Sequence, residues 1–215
     1  MKKYRFEAVL AAVLVLVCLG FSAWHSPREG KLTQPEIDHY LSIIEKLPMP
    51  QEEIQAITSR LRAWAEADDG KPVYMVNLIH FFPELRKYPG APEFKGAPQE
   101  SNAHYEMGIT RLWLSHAAYP MLAGSTQYKN LINFQPERAW ERAAVARYPN
   151  RRTFLELNAD PSYAPMEPYK FIALEIDLVP VSSDVVIPDL RWVVGGGFVV
   201  IFLLVGWVRA ARLST

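Results

Sequence analysis

The chain has 215 residues, with 23 Lys and Arg against 23 Asp and Glu, and one cysteine, Cys18. A lone cysteine excludes an intrachain disulfide and a cysteine-built metal site. Residues 25–191 hold 18 Lys and Arg against 22 Asp and Glu, so the body of the chain is mildly acidic and has no basic stripe for nucleic acid.

Ala8 to Ala23 carries no charged residue, and neither does Trp192 to Val208. As a helix the stretch 6–24 is roughly 28 Å long, close to the apolar thickness of a bilayer. The second stretch, 191–208, is near the lower limit and gains length if Arg191 snorkels. Trp24, Trp192 and Trp207 mark the ends, where indole rings favour headgroups. Lys2, Lys3 and Arg5 precede the first run, and Arg209 and Arg212 follow the second. The positive-inside rule then predicts a bacterial inner-membrane protein with two spans. Residues 1–5 and 209–215 are expected in the cytoplasm and the main domain in the periplasm. A cleaved signal peptide is the rival for the first run, but Phe21-Ser22-Ala23 puts a large residue where a small one is usual.

Between the spans, residues 25–70 read as a helical hairpin. Thr33-Gln34-Pro35-Glu36 has the pattern of a capping box, and Ile37, Leu41, Ile44 and Leu47 follow at helical spacing. Pro48 and Pro50 separate this helix from a second with Ile54, Ile57, Leu61 and Trp64 on one stripe. Residues 71–181 read as one α+β domain. Val73 to Phe81 is apolar on both faces, like a strand covered on both sides. Pro83, Pro89, Pro92 and Pro98 then shape a long loop, followed by a helix over about 102–118 capped by Ser101 or Asn102 and ended by Pro120. Met121 to Phe134 contains a second strand, with a bulge expected at Gly124, and 139–148 a third. Arg151 to Ala159 is a short helix, 160–168 is irregular, and 169–181 contains the last strand. Residues 182–190 are a linker. Strand, helix, strand, strand, helix, strand is the ferredoxin-like order. Helices cover one sheet face only, so the other needs a cover: a second copy of the sheet, or the N-terminal hairpin.

Val76-Asn77-Leu78, Trp140 through Arg147-Tyr148-Pro149, Arg152-Thr153-Phe154-Leu155 and Asp160-Pro161-Ser162-Tyr163 resemble the domain-of-unknown-function 1330 family over roughly residues 72–181. The resemblance implies a ferredoxin-like βαββαβ fold of dimeric α/β barrel type and a homodimer. It implies no established activity, although the superfamily includes cofactor-independent monooxygenases and isomerases.

Five residues are candidates for a ligand pocket. Asn77 and His80 lie on opposite faces of the first strand: the amide suits a carbonyl or oxyanion, the imidazole suits proton transfer. Alternatively, Asn77 bonds neighbouring backbone and His80 sits half solvated at the strand end. Tyr105 points a phenol into a pocket or packs its ring. Arg147 holds an anion or pairs with Glu175 or Asp177. Glu175, if desolvated, acts as a base. No metal or cofactor is expected, since His104 and His116 are too far apart on one helix for a shared ion. No residue is assigned as catalytic. The function expected is a membrane-anchored periplasmic binding or assembly module, with the lipid bilayer, a second copy and a membrane protein as partners. The alternative is a cofactor-independent enzyme acting on a small apolar or aromatic ligand.

Overall fold

The computed structural model describes residues 5–26, 30–128, 131–132, 139–185 and 189–213, in two compact units. Residues 1–4 and 214–215 at the expected cytoplasmic ends lie outside the described residues, as do 27–29, 129–130, 133–138 and 186–188.

The first unit is a pair of helices, α1 (Arg5–His25) and α7 (Leu190–Leu213). Both are long and apolar enough to cross a membrane, and neither apolar window is buried inside the protein. Val9, Leu16, Leu19, Val199 and Leu203 are all more than half exposed, which in water would be unfavourable and in lipid is not. A Cβ built on Gly195 of α7 would lie 3.8 Å from Cys18 Sγ of α1, so the helices approach closely where one has no side chain. Glu7, inside the expected first span, accepts a hydrogen bond from Arg209 Nε at 2.7 Å. Asp189 precedes α7 and takes hydrogen bonds from the Arg191 side chain and backbone, which hold its carboxyl down at about 2.

The second unit, residues 29–183, begins with α2 (Gln34–Ile44) and α3 (Gln51–Glu66). The expected capping interaction is present: Thr33 N donates to Glu36 Oε2 at 2.8 Å. Then come β1 (Val73–Phe81), α4 (Pro98–Ser115), β2 (Tyr119–Ser125), β3 (Arg142–Tyr148), α5 (Arg151–Ala159), α6 (Glu167–Phe171) and β4 (Leu174–Val181). The strands form one antiparallel sheet in the order β2-β3-β1-β4.

Several boundaries move. α4 starts at Pro98, not at 102, because Pro suits the first turn and Glu100 Oε2 accepts from Ala97 N at 3.0 Å. Its end is not set by Pro120. Ala117 adopts φ +53, Ala117 N donates to Leu114 O, and Ala118 N donates to Trp113 O at 2.9 Å, which is a Schellman cap. Pro120 lies within β2, at a register shift between Pro120 and Leu122, so the irregularity is there and not at Gly124. β2 spans Tyr119–Ser125, starting two residues before the stretch expected to contain it; the end of that stretch, 133–134, lies outside the described residues. The segment expected to be irregular, 160–168, runs into the first two residues of α6.

Antiparallel register assigns the two sheet faces. Val73, Met75, Asn77 and Ile79 share one face with Ala146, Tyr148 and Ile176. This face meets α4 and α5 in a core that includes Tyr105, Ile109, Phe154, Leu155 and Leu157. Asn150 Oδ1 caps α5 by accepting from Thr153 N at 2.9 Å, which orients that helix over the sheet. The α2–α3 hairpin packs on α5: the Trp64 and Phe154 rings meet edge to face at 5.5 Å, and Tyr40 Oη donates to Glu156 at 3.1 Å. The hairpin therefore extends the helix layer and is not the cover of the other sheet face.

Candidate functional site

The second face of the sheet presents Tyr119, Leu122 and Gly124 from β2, Ala143, Val145 and Arg147 from β3, Tyr74, Val76, Leu78 and His80 from β1, and Glu175, Asp177, Val179 and Val181 from β4. Its centre is apolar. Leu122 is 63 % exposed and Val179 45 %, while Val76, Leu78 and Val145 are partly exposed. Single exposed apolar side chains are ordinary; here they form a contiguous set across four strands.

The five candidate residues do not converge. Asn77 is on the helix-covered face, where Nδ2 donates to Met75 O at 3.0 Å and to Ala144 O at 3.5 Å. It satisfies backbone carbonyls of its own and the adjacent strand. Tyr105 is buried between α4 and the turn before α6, its Oη 3.4 Å from Tyr163 Oη. Burial holds that phenol neutral, well above its ordinary range.

His80 and Glu175 are cross-strand neighbours on the open face and are the one pair brought together. His80 is exposed, with Nδ1 3.1 Å from Ala139 O and 3.4 Å from Glu141 Oε2. Glu141 also accepts from Phe81 N at 2.7 Å, so this strand end is a hydrogen-bonded rim. Glu175 is exposed as well.

Arg147 sits at the opposite end of the same face. It pairs in register with Tyr74, whereas Glu175 pairs with His80, six residues further along β1, about 20 Å away. Pairing of Arg147 with Glu175 is thus excluded by register. Arg147 is 3 % exposed, and its guanidinium lies 5.6 Å from the Tyr119 ring centroid.

Among the described residues no group of three His, Cys, Asp or Glu side chains is placed to hold a metal ion. His104 packs its ring against Tyr169 at 4.5 Å, and His116 Nδ1 lies 2.9 Å from Leu112 O. A shallow hollow of about 280 Å³ at Trp207, Val208, Ala211 and Arg212 includes none of the five candidates.

Charged groups not singled out from sequence lie on the helix side. Arg142 Nε and Nη2 donate to the two Glu106 oxygens at 3.1 and 2.9 Å, joining β3 to α4. Glu167 and Lys170 are buried at 4 % and 8 % exposure. Their i,i+3 spacing was visible in the sequence, but it fell in a stretch with no helical periodicity to give the spacing meaning.

No family model matches the chain, and no curated protein matches it. Solved structures do. A protein of unknown function from Rhodopseudomonas palustris, RPA0582, is 21 % identical with a TM-score of 0.51, covering 60 % of this chain and 92 % of that one. Its methylated form gives 22 % identity and the same TM-score, over 62 % and 93 % of the two chains. SnoaB, a cofactor-independent oxygenase from Streptomyces nogalater, is 13 % identical with a TM-score of 0.34, over 55 % and 99 %. The RPA0582 likeness shows a shared α+β fold over 60 % of this chain.

Proposed function

We propose that the chain is a membrane-tethered pairing module. Two spans hold an α+β body at the periplasmic face of a bacterial inner membrane, and the open sheet face binds a second copy. The observation that carries this reading is the apolar centre of that face, built from Val76, Leu78, Leu122, Val145 and Val179. The βαββαβ order and the strand order β2-β3-β1-β4 support a ferredoxin-like fold of the dimeric α/β barrel type, in which two such sheets close on each other.

The exits of the body agree with tethering at both ends. Arg152 Nη2 donates to Lys31 O at 3.0 Å, at the start of α5 and just beyond the last residue of β3, Tyr148, which pairs with Val73. Val181, the last residue of β4, pairs with Tyr74. Both chain ends of the body thus leave from the end of the sheet where β1 begins. Two copies anchored in one bilayer would then be related by a twofold axis along the membrane normal. The antiparallel approach of α1 and α7 supports an even number of crossings with both outer ends on one side, the cytoplasmic side by the positive-inside rule.

Native mass spectrometry of the detergent-extracted chain tests the pairing. A dimer is expected, and Val145→Asp, with a charge in the middle of the face, should give a folded monomer. A monomeric wild-type chain, or a Val145→Asp dimer as strong as wild type, would count against the reading. Reporter fusions beyond residue 213 test the sidedness: cytoplasmic signal is expected, and periplasmic signal overturns it.

A further inference from the structure

The loop between β1 and α4, residues 82–97, lies across α6 and the start of β4. The Tyr88 ring stacks on Phe171 at 5.4 Å, and Phe94 meets Tyr169 edge to face at 5.7 Å. Arg86 N donates to Ile172 O at 2.8 Å and Phe82 N to Ala173 O at 3.0 Å. α6 itself holds two buried charged side chains one turn apart, Glu167 and Lys170.

Neither is well satisfied when charged. Glu167 Oε2 is buried with no hydrogen-bond partner among the described residues. Lys170 Nζ lies over the Tyr105 ring at 5.5 Å and the Phe171 ring at 5.4 Å and makes no described hydrogen bond. Tyr88 Oη, on the loop, is likewise buried without a described partner, and Glu167 acts on it through space. A buried charge whose lone pairs or protons are left over is a net loss in folding. Tyr88 stacks on Phe171, next to Lys170 in α6, so parting of the loop from α6 would open this end of the helix to water.

We propose that residues 82–97 form a strap whose grip on α6 is set by the protonation of Glu167 and Lys170, weakest where both are charged. The surroundings do not relieve the pair. From α4 come Tyr105, Glu106 and His104: Glu106 is engaged by Arg142, and the His104 ring lies against Tyr169. From the turn before α6 comes Tyr163, from β3 Tyr148, from the strap Tyr88, and from α3 Glu53, which acts on Tyr88. Lys170 is the one cation that acts on Glu167 among these groups.

The sign follows from each group separately. Burial raises the Glu167 carboxyl to about 7, so the stability it contributes in acid is lost as pH rises through 7. Burial lowers the Lys170 ammonium to about 8, so the stability it contributes in alkali is lost as pH falls through 8. Local stability of the strap is therefore lowest between pH 7 and 8 and rises on either side.

Hydrogen exchange on the full-length chain in detergent, corrected for intrinsic rates, reads this directly. Amides of 82–97 and of α6 should show a protection minimum between pH 7 and 8 and at least about tenfold more protection at pH 5. β1 amides should show no such minimum. Glu167→Gln should flatten the acid limb, and Lys170→Met the alkaline one. A wild-type profile without a minimum overturns the strap whatever the variants do. An acid limb that survives in Glu167→Gln removes Glu167 from it. Should Glu167→Gln not fold, the same decision rests on whether Lys170→Met loses the alkaline limb alone; loss of neither limb or of both is against the proposal.

Discussion

Arg209 donates its Nε to Glu7 Oε1 at 2.7 Å while its guanidinium covers the Phe6 ring at 4.2 Å. The end of α7 is thereby fixed beside the start of α1, and Gly195, near the other end of α7, faces Cys18. This geometry makes the native cysteine a reporter. Gly195→Cys should form an intrachain cross-link with Cys18 on mild oxidation of membranes, because the small-residue contact brings the two within disulfide reach. Gly206→Cys should not, since eleven residues along α7 displace it by about 16 Å. Adding Arg209→Ala should lower the yield of the Gly195→Cys product. Gel mobility of the oxidised chain measures this, and a product found only between chains would contradict the hairpin.

The Arg142–Glu106 pair fastens the β3 edge to α4 through two parallel hydrogen bonds, and Asn102 Nδ2 adds a third at 3.0 Å to the same carboxylate. Its side chains are 22 % and 33 % exposed, so solvent still screens part of the interaction. Arg142→Ala is expected to cost about 1–2 kcal/mol, less than breaking a fully buried pair, because Asn102 continues to hold Glu106. In a body of this size the melting temperature should fall by roughly 3–8 °C. Arg111→Ala, on the same helix as Glu106 but outside this pair, should leave it unchanged.

The open sheet face separates two effects of substitution. Val145→Asp and Leu78→Lys place a charge where the proposed partner sheet packs, and should reduce dimer content with little change in the isolated body. Leu155→Ala removes a fully buried side chain from the other face and should cost about 2–5 kcal/mol without a direct effect on pairing. Mass measurement and thermal unfolding on the same samples should move oppositely for the two classes. A core variant that dissociates the dimer at a temperature where it remains folded would count against the assignment of faces.

The strands and the alternation along them were legible in the chain because period-two patterning and Pro or Gly punctuation are local. Asn77 and His80 were separable onto two faces for that reason alone. Which face meets the helices depends on where α4 and α5 pack, a non-local fact, and that left Asn77 as a pocket candidate when its amide serves Met75 O. The separation of Arg147 from Glu175 needed the register of β1 with two neighbours, which no spacing in sequence encodes. Ala117 hides the end of α4 because the left-handed cap residue is not the usual Gly, and the later Pro120 is the more visible stop signal. Glu167 and Lys170 were obscured by the opposite rule: charged residues in an irregular stretch are ordinarily solvated, whereas these two are buried.

The strap itself has one point where backbone conformation and close packing coincide. Gly90 has φ +69, and a Cβ there would lie 2.7 Å from Pro48 Cβ, in the connection between α2 and α3. A non-glycine residue in the left-handed region costs about 1–2 kcal/mol before any clash, and Pro48 cannot rotate its ring aside. Gly90→Ala should therefore loosen 82–97 from the hairpin, with limited proteolysis cutting the loop several-fold faster and global stability lower by about 2 kcal/mol or more. Gly124→Ala provides the contrast: a Cβ there meets nothing within 4 Å and needs no left-handed backbone, so it should be neutral or stabilising by up to about 1 kcal/mol. Equal proteolysis of the two variants would mean that the contact with Pro48 does not hold the loop.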